Sequence, residues 1–408
     1  MQHTSYAHNF NILDIIIKGN GMGIKIGYFG DFYPKFKNAL FSTGTVYLLS
    51  KHTEVESIYL YATKGCKIPP NFGENIHLFE SWNENSIVSL LRTLLLMNSH
   101  KKKLDTFFFN LSLTSQSKKS YVNVLSLLLP VFLSFITKKK IAVYLHDIVE
   151  TQNFETLGYN RSRVRIFVAK LLERFIAIRV TMILPMEYQV RALYNTRKKD
   201  LQQIFFPYAE AIWAYDLYPP VAVFTNNEEN NLLRVLLWGS WGPKKDIIRV
   251  IKKLKELIEK GCNLKVKVVG NINPHFAYYQ QEFYQLIQEM NNDRILFILD
   301  APDEIAPNTF FNSDILLLPY LGSVGISGVM NIGAFYGIKM VSYSVPELVD
   351  FSQMVNGDTL FIPTGDLDEL ERILCSGITP NIITQSQYIE KRDFAMEMVG
   401  RLIYCLSH

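Results

Sequence analysis

Residues 314–349, DILLLPYLGSVGISGVMNIGAFYGIKMVSYSVPELV, constrain the fold of this chain more than any other stretch. A short apolar run, Ile315 to Leu318, is stopped by Pro319. A glycine-bearing loop follows from Gly322 to Gly328, then a helical stretch ending near Gly337. A second apolar run, Lys339 to Tyr343, leads into Pro346-Glu347. The order is strand, glycine loop, helix, strand. The helix N-terminus in such a unit presents unpaired backbone N–H groups and a positive dipole end, which suit an anion such as phosphate. Gly325 and Gly328 let the backbone come close to that ligand.

The same alternation runs through the rest of the chain. Ile24 to Phe29 reads as a buried parallel strand ending in the turn Gly30-Asp31-Phe32-Tyr33-Pro34, with a helix from Ser42 to Leu49 capped by Ser42 or Thr43. Strands are expected at 58–62, 77–79, 106–110, 141–145 and 180–184, with helices at 86–98, 121–137 and 163–178. After Phe205-Phe206-Pro207 the composition changes, and the polar NNEENN at 226–231 has no periodicity, so a linker is expected over 208–231. A second alternating unit follows, with strands at 234–238, 265–269 and 295–299 and helices at 246–259 and 278–290. Asp366, three residues before Glu369, marks a capping box, and a last helix spans Tyr388 to Cys405. Strands alternating with helices make parallel sheets wound on both faces, with ligands at the strands' C-terminal ends. The expected organisation is an N-terminal extension over 1–21, a first doubly wound domain over 22–207, the linker, a second over 232–385, and a closing helix from 386 to 408.

The 314–349 stretch resembles the donor-sugar loop of retaining GT-B glycosyltransferases, written E-G-F-G-x-x-x-x-E-A-x-A-x-G-x-P-V-V. In that register Gly325 matches the first glycine, Ala334 lies two places past the second glutamate, and Gly337 matches the last glycine. Val324 and Ile332 stand where the family has its two glutamates. The segment Gly239-Ser240-Trp241-Gly242-Pro243-Lys244-Lys245 is similar to the family's G-R-L-x-P-x-K-G, whose arginine and lysine hold the donor's diphosphate. Lys245 falls on the lysine and Ser240 on the arginine.

The resemblance implies two Rossmann-like domains facing across a cleft, the GT-B architecture. It implies a nucleotide-diphosphate sugar as donor, held by Gly239, Ser240, Lys245, the loop Gly325, Ile326, Ser327 and Gly328, and Asn331 for a ribose hydroxyl. His146, at the end of a strand and followed by Asp147, would lie beside the transferred sugar as the catalytic residue, and Gly30 and Asp31 would form the acceptor-side loop. The acceptor would be a glycan or a lipid-linked molecule, and no prosthetic group is called for. No D-x-D follows a strand where a metal–diphosphate site needs one, and Asp366-Leu367-Asp368 is explained by capping, so no metal is expected. Two rivals stand beside this reading: a non-catalytic GT-B-like protein that binds a glycan or a partner, fed by Val324, Ile332 and Ser240, and a GT-B epimerase.

Composition decides smaller points. Of the 408 residues, 48% are hydrophobic and 20% charged, which places the chain among globular proteins; a net charge of +4 gives no argument for nucleic acid. Cys66, Cys262, Cys375 and Cys405 have no paired spacing, so neither a disulfide framework nor a zinc site is expected, and a reducing, cytoplasmic setting follows. The apolar helices at 86–98 and 121–137 each precede three lysines, Lys101 to Lys103 and Lys138 to Lys140. Both are short of the roughly 20 residues that span a bilayer. They are either crossover helices buried on the sheet or a peripheral face meeting anionic lipid.

Overall fold

The computed structural model describes residues 23–33, 39–83, 86–111, 120–146, 148–151, 163–194, 200–221, 232–272, 276–290, 292–322, 326–376, 378 and 385–408. The expected N-terminal extension, Val324, Gly325, Asp147 and the polar run at 226–231 lie outside the described residues.

The first unit runs β1 (Ile24–Phe29), α1 (Ala39–Lys51), β2 (Val55–Thr63), β3 (Ile76–Trp82), α2 (Ile87–His100), β4 (Thr106–Leu111), α3 (Ser120–Ile136) and β5 (Lys140–Leu145). It continues through α4 (Arg163–Arg179), β6 (Thr181–Leu184), α5 (Glu187–Tyr194), β7 (Leu201–Gln203) and α6 (Ala209–Leu217). The second runs β8 (Leu233–Trp238), α7 (Ile247–Glu259), β9 (Leu264–Val269), α8 (Ala277–Glu289), β10 (Ile295–Ile298), α9 (Ala306–Phe311) and β11 (Ile315–Leu318). After these come α10 (Gly328–Phe335), β12 (Lys339–Tyr343), α11 (Pro346–Met354), β13 (Thr359–Ile362), α12 (Leu367–Cys375) and α13 (Gln385–Ser407).

Both sheets are parallel throughout. The first has the order β3-β2-β1-β4-β5-β6-β7 and the second β10-β9-β8-β11-β12-β13, so the order reverses beside β1 and beside β8. Each reversal opens a crevice at the strands' C-terminal ends, where open α/β sheets bind ligands. The two-unit, doubly wound expectation therefore holds. Central strands such as β4, buried at every position, read as continuous apolar runs because helices cover both faces.

Three expectations are corrected. α1 begins at Ala39, so Ser42 and Thr43 are buried inside it instead of capping it; Gly44 also lies within α1, and its missing Cβ lets α6 approach, since a Cβ there would stand 2.3 Å from the Ala209 carbonyl oxygen. Residues 209–217, inside the stretch expected as a linker, form α6, with Ala211, Ile212 and Trp213 buried. Cys262 and Cys375 are joined by a disulfide with their Cα atoms 5.9 Å apart, although 113 residues separate them in sequence. They follow α7 and end α12, neighbours that the topology brings together and that no local spacing could reveal.

α6 and α13 hold the units to each other. α6 packs on α1 of the first unit and on α9 and α10 of the second, while α13 reaches α1, β4 and β5. Tyr47 of α1 donates to the Asp216 carboxylate of α6 at 2.7 Å, and Arg392 of α13 pairs with the same carboxylate. From α13, Lys391 Nζ donates to the carbonyls of Ala334 at 2.6 Å and Phe335 at 3.1 Å, satisfying acceptors at the C-terminal end of α10.

Candidate functional site

At the exit of β8 the chain reaches Gly239, with φ 149°, whose N–H donates to Val269 O at 3.0 Å. Gly270 has φ 111°, and a Cβ there would stand 1.9 Å from Gly239 O, so the two strand ends meet through bare backbone. Trp241, its side chain fully buried, anchors the loop, its backbone N–H donating to Asn271 O at 2.8 Å. The loop then returns along the exit of β11: Leu321 N–H donates to Lys244 O and Asp246 N–H to Pro319 O, both at 2.8 Å. This stitching fixes where the Lys245 side chain goes. Its ammonium lies 4.5 Å from the Tyr320 ring centre and 5.3 Å from that of Trp241, and 2.9 Å from where a Cβ on Gly239 would be. Among the described residues Lys245 makes no ion pair, and desolvation lowers its pKa to about 8. Ring faces attract the cation but leave its charge uncancelled.

The first turn of α10 lies beside it. Val329 Cγ2 is 3.8 Å from that same Gly239 Cβ position. Ser327 is the N-cap, its hydroxyl accepting the Met330 N–H at 3.2 Å, and it also hydrogen-bonds the buried Tyr320 hydroxyl. Ile326 is half-buried against the core, and Ser240 is half-buried. A Glu210 carboxylate oxygen lies 3.0 Å from where a Cβ on Gly328 would stand, bringing an acid from α6 to the α10 N-terminus. Asn331 is buried, and its Oδ1 accepts the N–H of Tyr208 at 3.0 Å. Tyr208 is a non-glycine residue at φ 59°, so this bond supports an unfavourable backbone conformation at the start of α6. Ile332 packs half-buried against the core.

A second group of polar side chains gathers at the crevice of the first sheet. His146 Nε2 is 2.7 Å from Asn110 Oδ1, Asn110 Nδ2 donates to Tyr28 Oη at 2.8 Å, and that hydroxyl is 2.8 Å from Ser42 Oγ. Because Nδ2 is directed at Tyr28, Oδ1 is the acceptor and His146 carries its proton on Nε2, leaving the Nδ1 lone pair. Desolvation pulls the His146 pKa down to about 4, so the ring is neutral at physiological pH. Phe41 and Tyr144 pack on it edgewise, with ring centres at 4.5 and 5.1 Å. Gly30 lies against the same chain, a Cβ there being 3.0 Å from Ser42 Oγ. Asp31 is buried, and its charge adds to the burial that raises the Tyr28 hydroxyl far above its usual range.

The structure thus brings Gly239, Lys245, Ser327 and Gly328 into one group and Gly30 and His146 into another. It turns Asn331 inward. Sequence reasoning missed Asn110, Tyr28, Trp241, Tyr320 and Glu210. Asn110 and His146 sit near the ends of adjacent parallel strands, a register that could have paired them. A shallow depression lined by Ile258, Gly261, Asn263 and Arg294 lies at the N-terminal ends of β9 and β10, away from both groups. Asp366 caps α12 by accepting the N–H groups of Asp368 and Glu369.

No family model matches the sequence, and no curated protein is similar to it in sequence. Solved structures do share its shape. Anabaena HepE in complex with UDP-glucose superposes with a TM-score of 0.57 at 13% identity, over 94% of this chain and 97% of that one. Sucrose-phosphate synthase from Thermosynechococcus elongatus gives 0.57 at 14% identity, over 93% and 95%. A putative UDP-N-acetylglucosamine 2-epimerase from Listeria monocytogenes gives 0.58 at 11% identity, over 92% and 94%. At such identities the likeness establishes the fold, and the chain has the GT-B fold.

Proposed function

We propose that this protein is a glycosyltransferase that moves a sugar from a nucleotide-diphosphate donor to a hydroxyl of a glycan or lipid-linked acceptor. One observation carries the reading: an ammonium without an ion-pair partner among the described residues, held by two aromatic rings beside a helix N-terminus at the β8 switch point. Such a place neutralises a departing diphosphate. HepE, of the same fold, is solved with UDP-glucose, and this supports the choice of ligand.

In the proposed reaction the bond between the sugar's anomeric carbon and the diphosphate oxygen breaks, and its electron pair leaves with the diphosphate. Lys245 and the N–H groups of Gly328 and Val329 receive that charge, which needs no metal. The acceptor hydroxyl bonds to the same face of the sugar, so the configuration is retained, and its proton passes to the leaving diphosphate. His146, neutral and with Nδ1 unprotonated, accepts a hydrogen bond from a hydroxyl of the bound sugar. Gly30 and Asp31 border the acceptor. The Glu210 carboxylate supplies from α6 the acceptor for donor hydroxyls that Val324 and Ile332 cannot offer; Gly328 and Ile332 are one turn apart on the same face of α10.

Calorimetry with nucleoside diphosphates and nucleotide sugars tests this. Lys245→Ala should weaken both by about 1.5–3 kcal/mol, the usual value of a hydrogen bond to a charged group. Glu210→Gln should weaken the nucleotide sugar and leave the bare diphosphate unchanged. Absence of nucleotide binding, together with no slow donor hydrolysis, would leave the binding-protein reading, which the apolar packing of Ile332 favours.

A further inference from the structure

The strand connections place α2, α3 and α4 side by side on one face of the first sheet, with α3 packed on both neighbours. Their inner residues, among them Leu90, Met97, Leu127 and Ile176, fill the core beneath. Their outer faces are also apolar. On α4, Val164, Phe167, Val168, Leu171, Phe175 and Ile178 are all exposed, from 41% to 69%, at the three-to-four-residue spacing of a single stripe. The stripe of an amphipathic surface helix ordinarily faces the core; here Glu173, Ile176 and Ala177 take the inner side. Phe132, Phe135 and Ile136 of α3 and Val88, Leu91 and Leu95 of α2 extend the exposed surface. An apolar patch spread over three helices marks an interaction site.

Charge identifies the occupant. The three helices contain one acid, Glu173, and it is buried, with its carboxylate accepting the Val149 N–H. Their cations lie on or beside the apolar face: Arg92, Arg163, Lys170, Arg174 and Arg179. Two lysine triplets, 101–103 and 138–140, follow the C-terminal ends of α2 and α3. Those ends meet: Lys101 Nζ donates to Ile136 O at 3.2 Å, and the Arg179 guanidinium stacks on Phe135 at 4.2 Å. Glu150 pairs with Lys170 and Arg174, while the other cations make no ion pair among the described residues. We infer that this face docks on the surface of an anionic lipid bilayer. Apolar side chains enter the headgroup boundary and the lysine and arginine side chains meet lipid phosphates. A second copy of the chain fits less well, because a two-fold contact would set two faces of the same sign against each other. No helix among the described residues is long and apolar enough to cross a membrane, so the contact is peripheral.

Vesicle flotation reads this contact without any donor or acceptor, so its outcome is independent of the transferase reading. The full chain should float with vesicles of equimolar phosphatidylcholine and phosphatidylglycerol at low salt and be released as salt rises. Replacing Lys138 and Lys139 by Ser should weaken partition by about fivefold per lysine, whereas Lys140, in β5 on the face that α13 covers, should matter little. Phe167→Ser with Leu171→Ser, at exposed positions that leave the core intact, should abolish flotation with unchanged thermal unfolding. Failure to float at low salt overturns the inference. So does equal flotation of the Phe167/Leu171 variant, or a dimer in light scattering that this variant converts to monomer.

Discussion

The two units share a strand order and differ in what their helices show to solvent. In the second unit, α7 turns Ile248, Ile251 and Leu254 inward, and its outer side is tied by ion pairs: Lys253 to Glu371 of α12 at 2.5 Å, and Lys260 to Glu256 at 2.5 Å. In the first unit α4 does the reverse, with its apolar stripe outside. The same contrast runs through the crevices. That of the second holds a cation poised near pH 8, and that of the first a neutral imidazole within a chain of uncharged hydrogen bonds. One topology therefore serves two environments. Strand order fixes where the crevice lies, and the side chains around it decide its charge and polarity.

The contrast can be tested most strongly at the disulfide, which staples α7 to α12 and has no counterpart among the described residues of the first unit. Reduction, or Cys262→Ser, should cost about 4–5 kcal/mol in denaturant unfolding, since a long closed loop is released in the unfolded chain. An unchanged midpoint would mean that the charged helices of the second unit hold without the staple. A middling effect is expected at the junction. Asn331→Ala strands the Tyr208 N–H in a buried place and should cost about 2 kcal/mol. Nucleotide affinity should be retained in the folded variant; a selective loss of affinity would return Asn331 to the ligand. The smallest effect is in pH. Lys245 binds a phosphate as the ammonium, and its pKa in the free protein is about 8, so affinity should fall as pH rises through 8. Relative to Lys245→Arg, which keeps its charge, the loss should reach about tenfold by pH 9. A constant ratio between pH 7 and 9 would remove Lys245 from the phosphates.

How much of this the sequence disclosed depended on whether the signal was local. The strands of both units other than the edge strands β7 and β13, the glycine-marked strand ends and the Asp366 cap are patterns of a few residues, and the structure has them where periodicity puts them. The segment leading into α6, FFPYAEAIWAYDLYPP, was hidden for the opposite reason. It is apolar all round, because α6 is clasped on several sides, and so it shows no helical period. Cys262 with Cys375, Asn110 with His146 and Glu210 with Gly328 are encounters between residues far apart in the chain, fixed by strand order. α4 teaches a different lesson. Its helical span was legible, but periodicity is blind to which side of a helix meets the sheet; the buried Glu173, accepting the Val149 N–H, marks the inner side.

The grip of Lys391 on the last carbonyls of α10 bears on how the molecule can move. The helix whose first turn faces the proposed diphosphate site is held at its other end by α13, and α13 continues onto β4 and β5 of the other unit. α6 makes a second bridge between the units, tied to the first at Asp216. A body joined by two stiff struts turns about the line through them and resists sliding. A rotation of one unit against the other would therefore have to carry α10, and the first turn that faces the proposed site, along with α13.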